Sequence, residues 1–138
     1  MNKQHIENLQ VAWAIMFALP SERIYLEAIR KPDVDDESLQ AGCGVACVAG
    51  WLSFDSFFKK QGLYYKGMWV YNDASGSASG SLWGMSEYLF GVKNIFLCSE
   101  TKLSDKREAL QRIRLALLGQ GALSPQENTN LIEIEERF

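Results

Sequence analysis

Between residues 42 and 51 the chain reads Gly-Cys-Gly-Val-Ala-Cys-Val-Ala-Gly-Trp, a run in which nothing before the closing tryptophan is larger than valine. Glycine inside a helix costs up to about 1 kcal/mol relative to alanine, so a helix carrying Gly44 and Gly50 needs compensation, and close approach of another backbone is the simplest source. This small-residue segment is therefore expected at the structural centre of the fold, within a helix from about Cys43 to Lys60. On such a helix Cys43 and Cys47 share one face, and with Gly50 they form a shallow trough for a second helix. Later turns carry Trp51, Leu52, Phe54, Phe57 and Phe58. Lys59 and Lys60 complement the negative helix end before Gly62 closes it.

The rest of the chain supplies more helices. Ile6, Leu9, Trp13, Met16 and Phe17 recur at steps of three and four, which predicts a helix over about 3–18 that Leu19-Pro20 ends. Ser21 is placed to cap a short helix over Glu22–Ile29, a stretch whose Arg23-Ile24-Tyr25-Leu26 also suits a strand. Aromatic-rich residues 63–71, with a turn at Lys66-Gly67, predict a small β-hairpin. The polar run 72–81 reads as a flexible connection. A short helix is expected over Leu82–Phe90, closed by Gly91, followed by an apolar turn or two over Val92–Cys98. Ser104 and Asp105 open another helix, with Leu110, Ile113 and Leu117 as its apolar stripe down to Gly119 and Arg107, Gln111 and Arg114 facing solvent. Ser124-Pro125-Gln126-Glu127 carries a capping box with proline at the first helical position. The expectation is one mainly α domain over 1–138, α+β being the alternative: a compact bundle of about five to six helices with a hairpin near 63–71.

Charge narrows the function. The net charge is −3, with seven basic and eight acidic residues in 1–69 and seven and nine in 70–138. Direct nucleic-acid binding, which draws on clustered Lys and Arg, is not expected. The N-terminus lacks a signal-peptide pattern, and the longest apolar run, Val11–Leu19, is about half of a membrane span, so no membrane association and a cytoplasmic location are expected. Three cysteines at uneven spacing fit reduced thiols.

No catalytic residue emerges. Cys43, Cys47 and Cys98 are the alternative metal- or thiol-dependent site, but structural zinc takes four Cys or His ligands and the chain has one histidine, His5. A catalytic Cys43 would need His5 as its base. A Cys43–Cys47 bridge within a helix is disfavoured because Cβ atoms one turn apart lie about 5–6 Å apart and a disulfide needs about 4 Å. The Gly/Ser loop 75–81 leads into a helix and offers a second alternative, a small-ligand or nucleotide binder, although it lacks a P-loop lysine. No cofactor is expected.

What remains is the surface. Trp51, Phe54, Phe57, Phe58, Tyr64, Tyr65, Trp69 and Tyr71 crowd residues 51–71, and tyrosines and tryptophans on a hairpin anchor protein interfaces. The acidic runs Asp33-Val34-Asp35-Asp36-Glu37 and Glu133-Ile134-Glu135-Glu136 are the places where an acidic surface would mimic nucleic acid or dock on a basic protein, and both read first as solvated loop and tail charge.

The run Cys43-Gly44-Val45-Ala46-Cys47-Val48-Ala49-Gly50-Trp51 resembles the signature of a group of small uncharacterised bacterial and phage proteins, in which Cys-Gly-Thr precedes Ala-Cys-Ile-Ala-Gly and then His or Trp. The order of a leading helix ending at Leu-Pro, a Leu89-Phe90 pair and an Arg112-Ile113 step is similar as well. Two positions depart from that pattern: the first cysteine of the group would fall on Gly42, and the position often occupied by histidine is Trp51, which argues against a Cys–Cys–His metal site. The resemblance implies a phage or mobile-element source and brings no activity with it. The function expected is non-enzymatic binding of a host or phage protein, in its narrower form counter-defence inhibition of anti-CRISPR type, with Asp33, Asp35, Asp36, Glu37, Tyr64, Tyr65, Trp69 and Tyr71 as contact candidates.

Overall fold

Asn2 starts the first helix by accepting hydrogen bonds from the backbone N–H of Gln4 at 2.9 Å and of His5 at 3.1 Å, satisfying two of the donors a helix start leaves unpaired. The computed structural model describes residues 2–24, 26, 47–66, 69–72, 82–96 and 104–138. Helix α1 spans Lys3–Ala18, as the periodicity predicts, and Leu19 leaves it in extended geometry before Pro20. The described part of the stretch expected as a helix over Glu22–Ile29 opens in a 3₁₀ turn, Ser21–Arg23, rather than an α-helix, and Ile24 is extended. Tyr25 and residues 27–46 lie outside the described residues, and with them the acidic run 33–37, Cys43 and Gly44.

The expected continuous helix to Lys60 is two helices, α2 (Val48–Phe54) and α3 (Ser56–Lys59). Asp55 breaks them apart: it is extended, and its Oδ1 accepts the N–H of Phe57 at 2.9 Å. An aspartate that bonds the backbone two residues ahead offers the chain an alternative to continuing the helix. Cys47 does not lie inside a helix but stands at the N-cap of α2 in extended geometry. The expectation of a central position holds for the described part of the segment, since Cys47, Val48, Ala49, Trp51 and Leu52 are all buried in the core.

Gly62 takes a left-handed φ of 93° and turns the chain into strand β1 (Leu63–Lys66), which pairs antiparallel with β2 (Trp69–Asn72) in the register Leu63↔Asn72 to Lys66↔Trp69. A lone hairpin is marginal in water. Here α2 packs against both strands and α4 (Leu82–Phe90) against β2.

Helix α4 ends at Gly91, whose φ is 75°. Residues 92–96 turn back under it, burying Ile95 and Phe96, with Ser86 Oγ donating to the Val92 carbonyl and accepting the N–H of Ile95. Helix α5 (Asp105–Gly119) is capped by Ser104, and Leu110, Ile113 and Leu117 face inward. Arg114, expected in solvent, is instead only 6 % exposed, and Arg107 and Gln111 are half-buried. The last helix, α6 (Pro125–Glu135), carries the reciprocal capping box: Ser124 Oγ accepts the N–H of Glu127 at 3.1 Å, and Glu127 Oε1 accepts that of Ser124 at 2.9 Å.

The fold is thus mainly helical, as expected, with six α-helices and the hairpin among the described residues. Lys106, at the start of α5, donates to the carbonyls of Phe17 and Leu19 at the end of α1, so these two helices run antiparallel side by side. Their inward faces, with α2 and α4, enclose the core around Leu9, Met16, Leu52, Phe58, Phe90 and Leu110.

Candidate functional site

The last carbonyls of any helix lack intrahelical partners. At the end of α4 three of them are met by side chains from two other helices: His5 Nε2 donates to the Tyr88 carbonyl at 3.1 Å, Asn8 Nδ2 to that of Leu89 at 2.8 Å, and Gln120 Nε2 to that of Phe90 at 2.8 Å. Asn8 is buried, and it exchanges two further 2.9 Å hydrogen bonds with the Gln61 amide and accepts one from Gln4. Gly91 allows the close fit, because a Cβ there would stand 2.7 Å from His5 Nδ1. The start of α1, the end of α5 and the close of α3 therefore converge on the C-terminus of α4 and fix the helix in place.

With α4 fixed, its two sides differ sharply. Met85, Ser86, Leu89 and Phe90 are buried, whereas Trp83 is 56 % and Tyr88 54 % exposed, with Gly84 and Glu87 also in solvent. At about 100° per residue the outward positions run Trp83, Glu87, Gly84, Tyr88 across the helix, so two aromatic rings flank a low centre that carries one carboxylate. Lys93 lies 3.9 Å from Glu87 and leaves that carboxylate in water. Large exposed aromatics of this kind are costly to hydrate and are the residue types that anchor interfaces.

Tyr64 and Tyr65 are half-buried, and Tyr65 packs against the core. Trp69 and Tyr71 lie on β2, next to α4, and their side chains are outside the described residues. Asp33, Asp35, Asp36 and Glu37 lie outside them altogether, as do Cys43, Cys98 and the loop 75–81. Cys47 is 1 % exposed, and among the described residues no group of three His, Cys, Asp or Glu side chains could hold a metal ion. The acidic tail corrects its reading in part: Glu133 and Glu136 are exposed, but Glu135 is buried at 2.6 Å from Arg114 Nε. No helix among the described residues is long and apolar enough to cross a membrane.

Trp83 and Tyr88 were not singled out by sequence reasoning. A signal was present, because the stripe Met85, Leu89 and Phe90 assigns positions 83, 84, 87 and 88 to the opposite side of the helix. One further polar site is structural. Lys106 Nζ sits 4.1 Å from the Phe138 ring centre and 5.5 Å from that of Phe17 while it donates to the two carbonyls at the end of α1, and burial lowers its pKa against the opposing pull of Glu22. Among protein-family models, curated proteins and solved structures, nothing matches this chain.

Proposed function

We propose that this chain is a non-enzymatic binding protein whose contact face is the outer side of α4, edged by Trp83 and Tyr88 and continued by the neighbouring hairpin. The observation that carries the reading is the exposure of those two aromatic side chains on a helix whose end is tied down by three side chains from two others, so the face is presented rigidly. Rigid aromatics contribute contact area with little loss of rotamer entropy on binding. The partner is a protein of host or phage origin. In the narrower form, which rests on the resemblance to small phage proteins, it is a component of a host defence complex that the chain inhibits.

The test is affinity capture with the wild-type chain and with Trp83→Ala/Tyr88→Ala in parallel. A partner that the wild type recovers and the folded variant loses by tenfold or more is expected. A partner recovered equally by both, or lost only when the hairpin is altered, would move the contact face elsewhere.

A further inference from the structure

Helix α6 is attached to the molecule differently from every other described helix longer than two turns. Its only buried residue is a charged one, Glu135, and no fully buried member of the hydrophobic core lies beyond Leu117. Apolar residues of α6 such as Leu131 and Ile132 are half-buried. The hydrogen bonds that tie α6 to α5 are gathered on Arg114: Nε donates to Glu135 Oε1 at 2.6 Å and Nη1 to Asn128 Oδ1 at 2.8 Å, two positions seven apart and so on one face of α6. Beyond the helix, Phe138 lies 4.1 Å from Lys106 Nζ and edge-on to Phe17, with ring centres 6.2 Å apart. Within itself α6 is complete, with its capping box and Pro125 at the first helical position.

A buried ion pair behaves unlike apolar packing. Its two charges lose their hydration, and the arrangement holds only while both partners are present, so neutralising one leaves the other buried and uncompensated. Apolar contacts are graded, whereas this one is all or none.

We propose that α6 with the C-terminal residues is a detachable arm, latched to α5 by the Arg114–Glu135 pair, and that it opens as a unit while α1 to α5 and the hairpin stay folded. Opening removes Phe138 from Lys106 and Phe17. It presents the ring of Phe17, already 42 % exposed, together with Arg114, and adds a second surface to the one on α4. The arm is a conformational device independent of the binding reading above.

Hydrogen exchange on the full-length protein tests this without any partner. In the wild type, amides of 128–135 are expected to exchange at least tenfold faster, relative to their intrinsic rates, than amides of 110–117. In Glu135→Gln the exchange of 128–135 rises at least a further tenfold while that of 9–16 and 110–117 is unchanged. Equal protection of the two helices in the wild type overturns the proposal. So does a Glu135→Gln chain that leaves α6 protection unaltered, or one that loses protection throughout. Asn128→Ala, which removes the neutral contact and keeps the ion pair, is expected to give a smaller rise confined to the same residues.

Discussion

Asn8 is the residue on which most of the polar architecture turns. It is buried, and its amide serves the Leu89 carbonyl and the Gln61 side chain together. Leucine at this position fills much the same volume and can serve neither. Asn8→Leu is expected to destabilise by about 1–3 kcal/mol, the cost of leaving buried polar groups unpaired, as read from urea denaturation midpoints. Gln120→Ala, which strips one partly buried hydrogen bond from the Phe90 carbonyl, should cost less. Nothing in the local sequence singles out Asn8, since an asparagine in mid-helix reads as surface until the end of α4 arrives beside it. Arg114 shows the same limit. By the periodicity of α5 it belongs to solvent, and only Glu135, 21 positions further on, turns it inward.

At the scale of elements, the sequence was most legible where the determinants are local. The bounds of α1, α4, α5 and α6 follow from Leu19-Pro20, Gly91, Ser104-Asp105 and Ser124-Pro125-Gln126-Glu127, each acting within one turn of the helix end. The break at Asp55 was missed because a run of aromatics on both sides keeps the helical period, although Asp55-Ser56 is itself a cap signal. Gly91 illustrates how a cap becomes tertiary: its φ of 75° disfavours any L side chain, and its Cα faces His5. Gly91→Ala should cost about 1–2 kcal/mol for the left-handed backbone alone, and more with His5 in place. Combining it with His5→Ala should recover only the steric part, which a double-mutant cycle on thermal melts will separate. The capping box of α6 carries a pH dependence. The Ser124 backbone N–H and then its hydroxyl hold the Glu127 carboxyl below the ordinary glutamate pKa. A carboxylate lowered in the folded state stabilises fully above the ordinary glutamate range, and that contribution is lost as pH falls through the lowered value. Amide chemical shifts over 126–135 should therefore move toward random-coil values on acidification, and the advantage of the wild type over Glu127→Gln should vanish at the acid end.

Across the whole molecule, residues that hold the fold and residues that meet solvent on α4 are separate sets. Leu9, Leu89, Phe90 and Leu110 fill the core, while Asn8, Gln61 and Gln120 tie the helix ends. The mainly helical architecture was legible because its periods and caps are local, and the central position of the segment at Cys47–Trp51 because small residues in a row suit little else. The candidate face was legible only in part: the stripe Met85, Leu89 and Phe90 assigns its positions to the outer side of α4, but an exposed tryptophan and a covered one are the same letter, and the exposure of that side depends on where α1 and β2 pack. The division of labour has a direct consequence for stability. Surface substitutions away from capping and packing features change stability by no more than about 0.5 kcal/mol. The most direct measurement is the unfolding free energy of Trp83→Ala/Tyr88→Ala beside that of the wild type and Asn8→Leu. The double variant is expected within about 0.5 kcal/mol of the wild type, and the Asn8→Leu chain well below both. A double variant that loses about 2 kcal/mol or more would contradict that division, because the two rings would then be part of what holds the fold together.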